Sequence, residues 1–190
     1  MPTPRPDVLD FLATRRSRPA KTLGLPVPDR AALMPLLEMA ARTPDHGKLE
    51  PWRFVVLERA ALLRISAMIP ALPGAPDAEA VLKAQAQYGE AHLAVAVIEV
   101  QQPSPKIPPI EQTYSAGAVC LALLNAALAA GWGANWLTGW ASHDRGFAEG
   151  VMGLGSHERI AGLIHIGTET SAPPERPRPD IGAITTWVSE

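Results

Sequence analysis

Histidine, cysteine and serine are the side chains here that could act as nucleophiles or metal ligands, and their spacing argues against the common patterns. The five histidines never fall at His-Glu-x-x-His spacing, and Cys120 is the single cysteine, so a zinc site has little support. No Gly-x-Ser-x-Gly turn is present, which argues against a hydrolase nucleophile. Asp45 and His46 are adjacent on a predicted loop, where neighbouring side chains rarely point at each other. The sequence therefore predicts neither a metal site nor a hydrolytic centre.

Two short segments that contain arginine stand out together, about thirty residues apart along the chain. The first is Arg15-Arg16-Ser17, and the second runs from Arg42 to Phe54 and reads RTPDHGKLEPWRF. Together with Glu111-Gln112, the GANWLTG segment at 133–139 and the segment 162–167, they resemble the nitroreductase superfamily. Small bacterial nitroreductases of about this length carry Arg-Ala-Pro-Asp-His before Gln-Pro-Trp. The resemblance covers nearly the whole chain.

The resemblance implies both a fold and an activity. The fold is an α+β, three-layer α/β/α sandwich, with a mixed, mainly antiparallel sheet around a buried central helix. The activity is that of an FMN-dependent oxidoreductase, in which NAD(P)H delivers hydride to the flavin and an acceptor such as a nitroaromatic or quinone removes it. Because the flavin carries this chemistry, no catalytic side chain is predicted and the proton is expected to come from solvent.

The resemblance also implies which residues bind the cofactor. Arg15 and Ser17 match residues that hold the FMN phosphate, with Arg16 as a further contact, because guanidinium groups form paired, charge-assisted bonds with phosphate oxygens. Arg42 and His46 match positions that reach the flavin held mainly by the other subunit of a homodimer. A strand end matches the segment along the flavin ring, where backbone amides stabilise the reduced cofactor. Its residues are Trp136, Leu137, Thr138 and Gly139.

Each of these segments also has a purely structural interpretation. An arginine at a helix C-terminus complements the helix dipole. The loop histidine and the strand end are ordinary surface features in that interpretation. If Arg15 does not bind phosphate, the alternatives are Arg16 itself and three further arginines, namely Arg18, Arg176 and Arg178.

Three residues depart from the pattern of the relatives. Lys48 stands where many carry a small polar residue or asparagine, and Glu50 replaces the frequent glutamine before Pro-Trp. Either Glu50 changes the local charge or it pairs with Lys48. Leu137 occupies a position where a close look-alike carries arginine. These departures affect the predicted substrate and nicotinamide preference more than flavin binding.

Length, composition and charge fit a single domain spanning residues 1–190. A chain of 190 residues buries roughly 70% of its unfolded surface and needs no disulfide. The formal net charge of -2 argues against a nucleic-acid-binding protein. The first thirty residues contain no apolar signal segment, so a cytoplasmic location is expected. The apolar stretch 116–130 is too short to cross about 30 Å of hydrocarbon, so no membrane partner is expected.

Prolines and apolar periodicity place the secondary-structure elements. Most of the twenty prolines cluster between periodic segments, where they mark connections, and Pro35 is expected to kink the second helix or delay its start. The stretch 111–130 is apolar on all sides, which predicts a helix buried on all sides. The predicted helices are 7–14, 29–43, 59–68, 78–90, 111–130 and 144–152. The predicted strands are 54–57, 93–100, 132–137 and 160–166.

Three alternative functions remain open from the sequence. One is a specialised member of the superfamily that dehalogenates or consumes its own flavin. Another is a protein that binds flavin without turnover. The third is an α/β scaffold in which every motif is structural.

Overall fold

The computed structural model describes residues 3–189 as a sheet of five strands covered by helices. The strands are β1 (Leu23–Gly24), β2 (Trp52–Glu58), β3 (Leu93–Val100), β4 (Gly133–Leu137) and β5 (Glu158–Glu169). The helices are α1 (Pro6–Thr14), α2 (Arg30–Ala40), α3 (Arg59–Met68), α4 (Ala78–Gly89), α5 (Pro109–Ala129), α6 (Trp140–His143) and α7 (Ile181–Ile184).

The central strand of the sheet is β5, and every strand pair described for residues 3–189 is antiparallel. Residues 163–165 of β5 pair with both β3 and β4, so these two strands flank β5 on opposite sides. The strand β2 pairs with β3, and β1 pairs with the last residues of β5. Because β3 has neighbours on both sides and helices on both faces, all its residues except the last are buried, as its apolar run, interrupted only by Glu99, predicts.

Two apolar clusters, one on each face of the sheet, form the core. Alternate residues of β3 enter different clusters, with Val95 and Val97 on one face and Ala96 and Ile98 on the other. The first cluster contains α2 and α5, and the second contains α3, α4 and α6. The molecule thus has helix, sheet and helix layers, which confirms the predicted three-layer α+β class.

The long helix α5 differs from its prediction in one respect. It begins at Pro109, so its 21 residues are long and apolar enough to cross a membrane, yet much of it packs in the core against the sheet. The expectation that it is buried all round is wrong for this chain. A stripe at i, i+4 and i+11 is exposed, consisting of Ile110, Tyr114 and Leu121, and Tyr114 is 69% exposed. Nothing among residues 3–189 covers this stripe.

Other boundaries differ where a local contact overrides periodicity. Pro35 lies inside α2, which begins at Arg30 because the Asp29 carboxylate accepts the Ala32 N–H as an N-cap. The predicted helix 144–152 is present over residues 145–151, and it is a π-helix at Phe147–Val151. The Asp144 carboxylate accepts the Phe147 N–H at 2.7 Å and caps the start of this segment.

The strand histidine His165 is buried and does not belong to a site. Burial lowers its pKa to about 4, so the imidazole is neutral near pH 7. Its Nε2 has no hydrogen-bond partner among residues 3–189.

Candidate cofactor-binding site

An arginine-lined cavity of about 600 Å³ lies beside the end of α1. The turn after α1 is joined to β4, because the Arg18 N–H donates to the Ala134 carbonyl at 2.8 Å and the Asn135 amide donates to the Arg18 carbonyl. These bonds place Arg15, Arg16 and Ser17, which are predicted to bind the phosphate, at the wall of the cavity. The wall consists chiefly of Arg15, Arg16, Ser17, Asn135, Arg176 and Arg178.

The C-terminal segment closes the other side of this cavity. Arg16 Nη1 donates to the Pro174 carbonyl at 2.7 Å and to the Glu175 carboxylate at 3.2 Å. Arg178 lies 2.9 Å from the same carboxylate. These contacts bring Arg176 and Arg178 to the cavity lined by Arg15–Ser17, although about 160 residues separate the C-terminal segment from Arg15–Ser17 along the chain.

The cavity contains more positive charge than the described residues neutralise. Arg15 donates to the Ser17 hydroxyl at 3.3 Å, but its Nε is buried and has no partner within residues 3–189. Burial first, and then the nearby Arg178 and Arg16, lower the pKa of Arg15. An anion with several acceptor oxygens would satisfy the Nε and offset this repulsion. The residues present therefore fit the phosphate of FMN.

The segment predicted to lie along the flavin ring continues from this cavity along β4. From Asn135 to Thr138 an extended chain spans about 10 Å at 3.3 Å per residue. The indole of Trp136 lies over Gly162 of β5, and Leu137 pairs with Leu163. Beyond the strand, Trp140 Nε1 donates to the Ala80 carbonyl of α4 at 2.9 Å, which fixes the turn through Thr138 and Gly139.

Arg42 and His46 lie elsewhere in the chain. His46 Nδ1 is 2.7 Å from the Glu111 carboxylate, near the N-terminus of α5. Arg15 also lines a second, smaller cavity together with Leu128, which lies at the other end of the same helix. The seventeen residues between Glu111 and Leu128 correspond to about 25 Å of helix. A single chain thus brings Arg15, Arg16 and Ser17 together but separates them from His46.

The loop that carries His46 has an unusual backbone. Gly47, Lys48 and Glu50 have φ angles of 76°, 55° and 47°, all in the left-handed region. Lys48 and Glu50 form no ion pair in the described part of the chain. The departure at Glu50 is therefore not compensated by Lys48.

Comparisons with known proteins agree with this geometry. A sequence profile described as "Nitroreductase family" matches residues 12–168. The Escherichia coli K12 protein named "Putative NAD(P)H nitroreductase YdjA" is 32% identical over 164 residues, which cover 85% of this chain and 88% of that protein. A Haemophilus influenzae protein named "Putative NAD(P)H nitroreductase" is 33% identical over 165 residues, with the same coverage.

Solved structures share the fold. A nitroreductase-like family protein from Bacillus cereus superposes with a TM-score of 0.82 at 21% identity, over 100% of both chains. A Desulfovibrio desulfuricans protein, crystallised in complex with FMN, gives a TM-score of 0.77 at 18% identity, over 98% of this chain and 99% of that one. With a profile match across most of its length and relatives above 30% identity, the chain belongs to the nitroreductase family.

Proposed function

We propose that this chain is a single FMN-binding domain, residues 1–190, that transfers hydride from NAD(P)H to an oxidised acceptor such as a nitroaromatic or quinone. The observation that carries the proposal is the cavity of four arginines around the unpartnered Nε of Arg15. Membership of the nitroreductase family, the bacterial relatives named as NAD(P)H nitroreductases and the FMN in the Desulfovibrio structure support it. A cytoplasmic location fits the use of NAD(P)H.

The chain's own residues would hold the cofactor as follows. Arg15, Arg16 and Ser17 bind the phosphate, and Arg176 and Arg178 add charge from the C-terminal segment. The turn from Trp136 through Leu137 and Thr138 to Gly139 presents backbone amides toward the ring, where charge accumulates on reduction. When bound, the flavin accepts hydride from NAD(P)H and passes it on. The protein supplies binding, orientation and exclusion of water.

A homodimer is supported by three apolar surfaces that one chain leaves open. None of the residues of α1 is buried, although Val8, Leu9 and Leu12 are apolar. The stripe of α5 defined above is exposed as well. In the C-terminal segment, Trp187 is 90% exposed. Contiguous exposed apolar surface on this scale is rare in monomers and is typical of an interface between subunits.

The same geometry supports a cofactor site shared by two chains. The ribityl chain between phosphate and ring spans about 9 Å at 1.5 Å per bond, and the ring adds a comparable length. The sum is shorter than the roughly 25 Å of α5 between Glu111, the partner of His46, and the helix end near Arg15. We therefore propose that Arg42 and His46 contact the flavin whose phosphate is held by Arg15 of the partner copy.

The first test is whether the purified chain is yellow and releases FMN on denaturation. It is then assayed for NAD(P)H oxidation with a panel of nitroaromatics, quinones and enals. We expect the protein to be yellow and to lose this colour on denaturation, when the FMN is recovered in the supernatant. We also expect acceptor-dependent oxidation of NAD(P)H. A colourless protein that takes up no added FMN would contradict the whole proposal. A yellow protein without turnover would instead favour a flavin-binding role, and turnover restricted to an unusual substrate would favour a specialised relative.

The shared site also predicts that FMN binding and dimerisation are one linked equilibrium. Because FMN would bind the dimer better than the monomer, it stabilises the dimer by mass action. Sedimentation of apo and FMN-loaded protein across a dilution series should show a dimer that persists to lower concentration when FMN is present. A monomer that retains full flavin occupancy at every concentration would show that each site is complete within one chain.

A further inference from the structure

His46 and Glu111 form an imidazole–carboxylate pair on the exposed side of α5. Their closest atoms, Nδ1 and Oε2, are 2.7 Å apart, and the two side chains are 62% and 42% exposed. An ionised carboxylate only accepts hydrogen bonds, so Nδ1 carries the hydrogen of this contact. Such a partner fixes the orientation of the ring and leaves Nε2 as the nitrogen available to another molecule.

Asp45, the sequence neighbour of His46, has a different role. Its carboxylate accepts the Glu50 N–H at 3.0 Å and so closes the loop on itself. The Ser115 hydroxyl of α5 donates to the Pro44 carbonyl at 3.2 Å and ties the loop to the helix. The histidine is thus held against α5 by a backbone anchored on both sides.

The conformation of this loop is one that residues other than glycine rarely adopt. Lys48 and Glu50 both have left-handed φ angles. Gly47 passes so close to Ile107 that an added Cβ would lie 2.4 Å from the isoleucine Cδ1. Backbone strain of this kind persists only where surrounding contacts impose it, and it clusters at functional sites. The loop is built to hold its side chains in one place.

The pair also lies on the surface that the proposed dimer covers. Glu111 is next to Ile110 and one helical turn from Tyr114, both in the exposed apolar stripe. Covering this surface by a second copy would remove water from around the imidazole. Without nearby water, an acceptor bound there needs another source for its proton.

We propose that His46 is the proton donor of the reaction and that Glu111 is its positioning residue. The proposal rests on the proposed function. Two-electron reduction of a quinone consumes one hydride, which NAD(P)H supplies, and one proton. The Nε2–H bond of the imidazolium breaks, an O–H bond forms on the quinone oxygen, and the neutral imidazole recovers a proton from solvent after the hydroquinone has left. The nicotinamide is oxidised and the quinone becomes a hydroquinone. The sequence alone indicates delivery by solvent, and the pair with Glu111 is what the structure adds.

The test separates acceptors that need a proton from one that does not. FMN-loaded wild type, His46→Gln, Glu111→Ala and the control Glu38→Ala are reduced anaerobically with NADPH and mixed with benzoquinone or with ferricyanide. Ferricyanide takes electrons and no proton. In His46→Gln the quinone rate divided by the ferricyanide rate should fall by roughly 100- to 10,000-fold, the usual contribution of a general acid. Any change in flavin affinity lowers both rates and cancels in this ratio.

The positioning role of Glu111 has a readout independent of turnover. In ¹⁵N-labelled apoprotein, the nitrogen shifts of neutral His46 should report hydrogen on Nδ1 in wild type and in Glu38→Ala. In Glu111→Ala they should move toward the other tautomer, and the quinone-to-ferricyanide ratio should fall to an intermediate value. Equal losses with both acceptors, or an unchanged ratio in His46→Gln, would overturn the proposal and return proton delivery to solvent. If wild type itself neither binds FMN nor oxidises NADPH, the proposed function fails instead.

Discussion

Replacing Arg15 with alanine is expected to weaken FMN binding about 10- to 150-fold, since a hydrogen bond to a charged group contributes roughly 1.5–3 kcal/mol. The same change should leave the apoprotein as stable as wild type. Without an anion, Arg15 has a buried Nε with no partner among residues 3–189 and lies close to Arg178 and Arg16, which lower its pKa. Its removal therefore takes away repulsion and an unsatisfied donor.

Titration of apoprotein with FMN, followed by fluorescence quenching, measures the affinity, and denaturant unfolding measures the stability. Arg64→Ala, on the exposed side of α3, is the matched control and should change neither quantity. Arg178→Ala should also weaken binding, because it removes charge from the same cavity. Wild-type affinity in Arg15→Ala would place the phosphate elsewhere and contradict the assignment of Arg15, Arg16 and Ser17.

Elements defined by local sequence were predicted closely. The strand β3 and the helix α3 have the predicted limits, because a nearly continuous apolar run and a helical period between two connections are properties of neighbouring residues. The helix predicted at 144–152 is present over residues 145–151, with Asp144 as its N-cap, but it widens to a π-helix at Phe147–Val151. Apolar periodicity does not indicate such a change of helix type.

The candidate site was predicted in part for a related reason. Arg15 and Ser17 stand in a compact motif, whereas Arg176 and Arg178 lie in a proline-rich segment without periodicity. Their place in the cavity depends on the contact of Arg16 with Pro174 and Glu175, across 158 and 159 residues of chain. The spacing of the prolines in this segment favours an extended, stiff chain whose arginine side chains are accessible. This spacing could have indicated that Arg176 and Arg178 are available to bind an anion. The partner of His46 was likewise hidden, since Glu111 lies 65 residues away.

Placing alanine at Gly162 is expected to cost about 1–3 kcal/mol of unfolding free energy, the usual range for overpacking a core. An added Cβ would lie 2.1 Å from Trp136 Nε1, 2.7 Å from its Cδ1 and 2.9 Å from Cys120 Sγ. The indole of Trp136 must then move away from Gly162. Its movement displaces the start of the segment that we propose lies along the flavin. FMN affinity should therefore fall together with stability.

A double-mutant cycle isolates this contact from a general effect of alanine in a strand. In a Trp136→Ala background the same Gly162→Ala change should cost much less, because only the approach to Cys120 Sγ remains. Gly150→Ala is the matched control, since a Cβ there meets nothing within 4 Å, and it should leave stability and FMN affinity near wild type. Equal costs of Gly162→Ala in both backgrounds would show that the indole does not occupy this position. The packing of Trp136 over Gly162, and the placement of Leu137 to Gly139 that follows from it, would then be wrong.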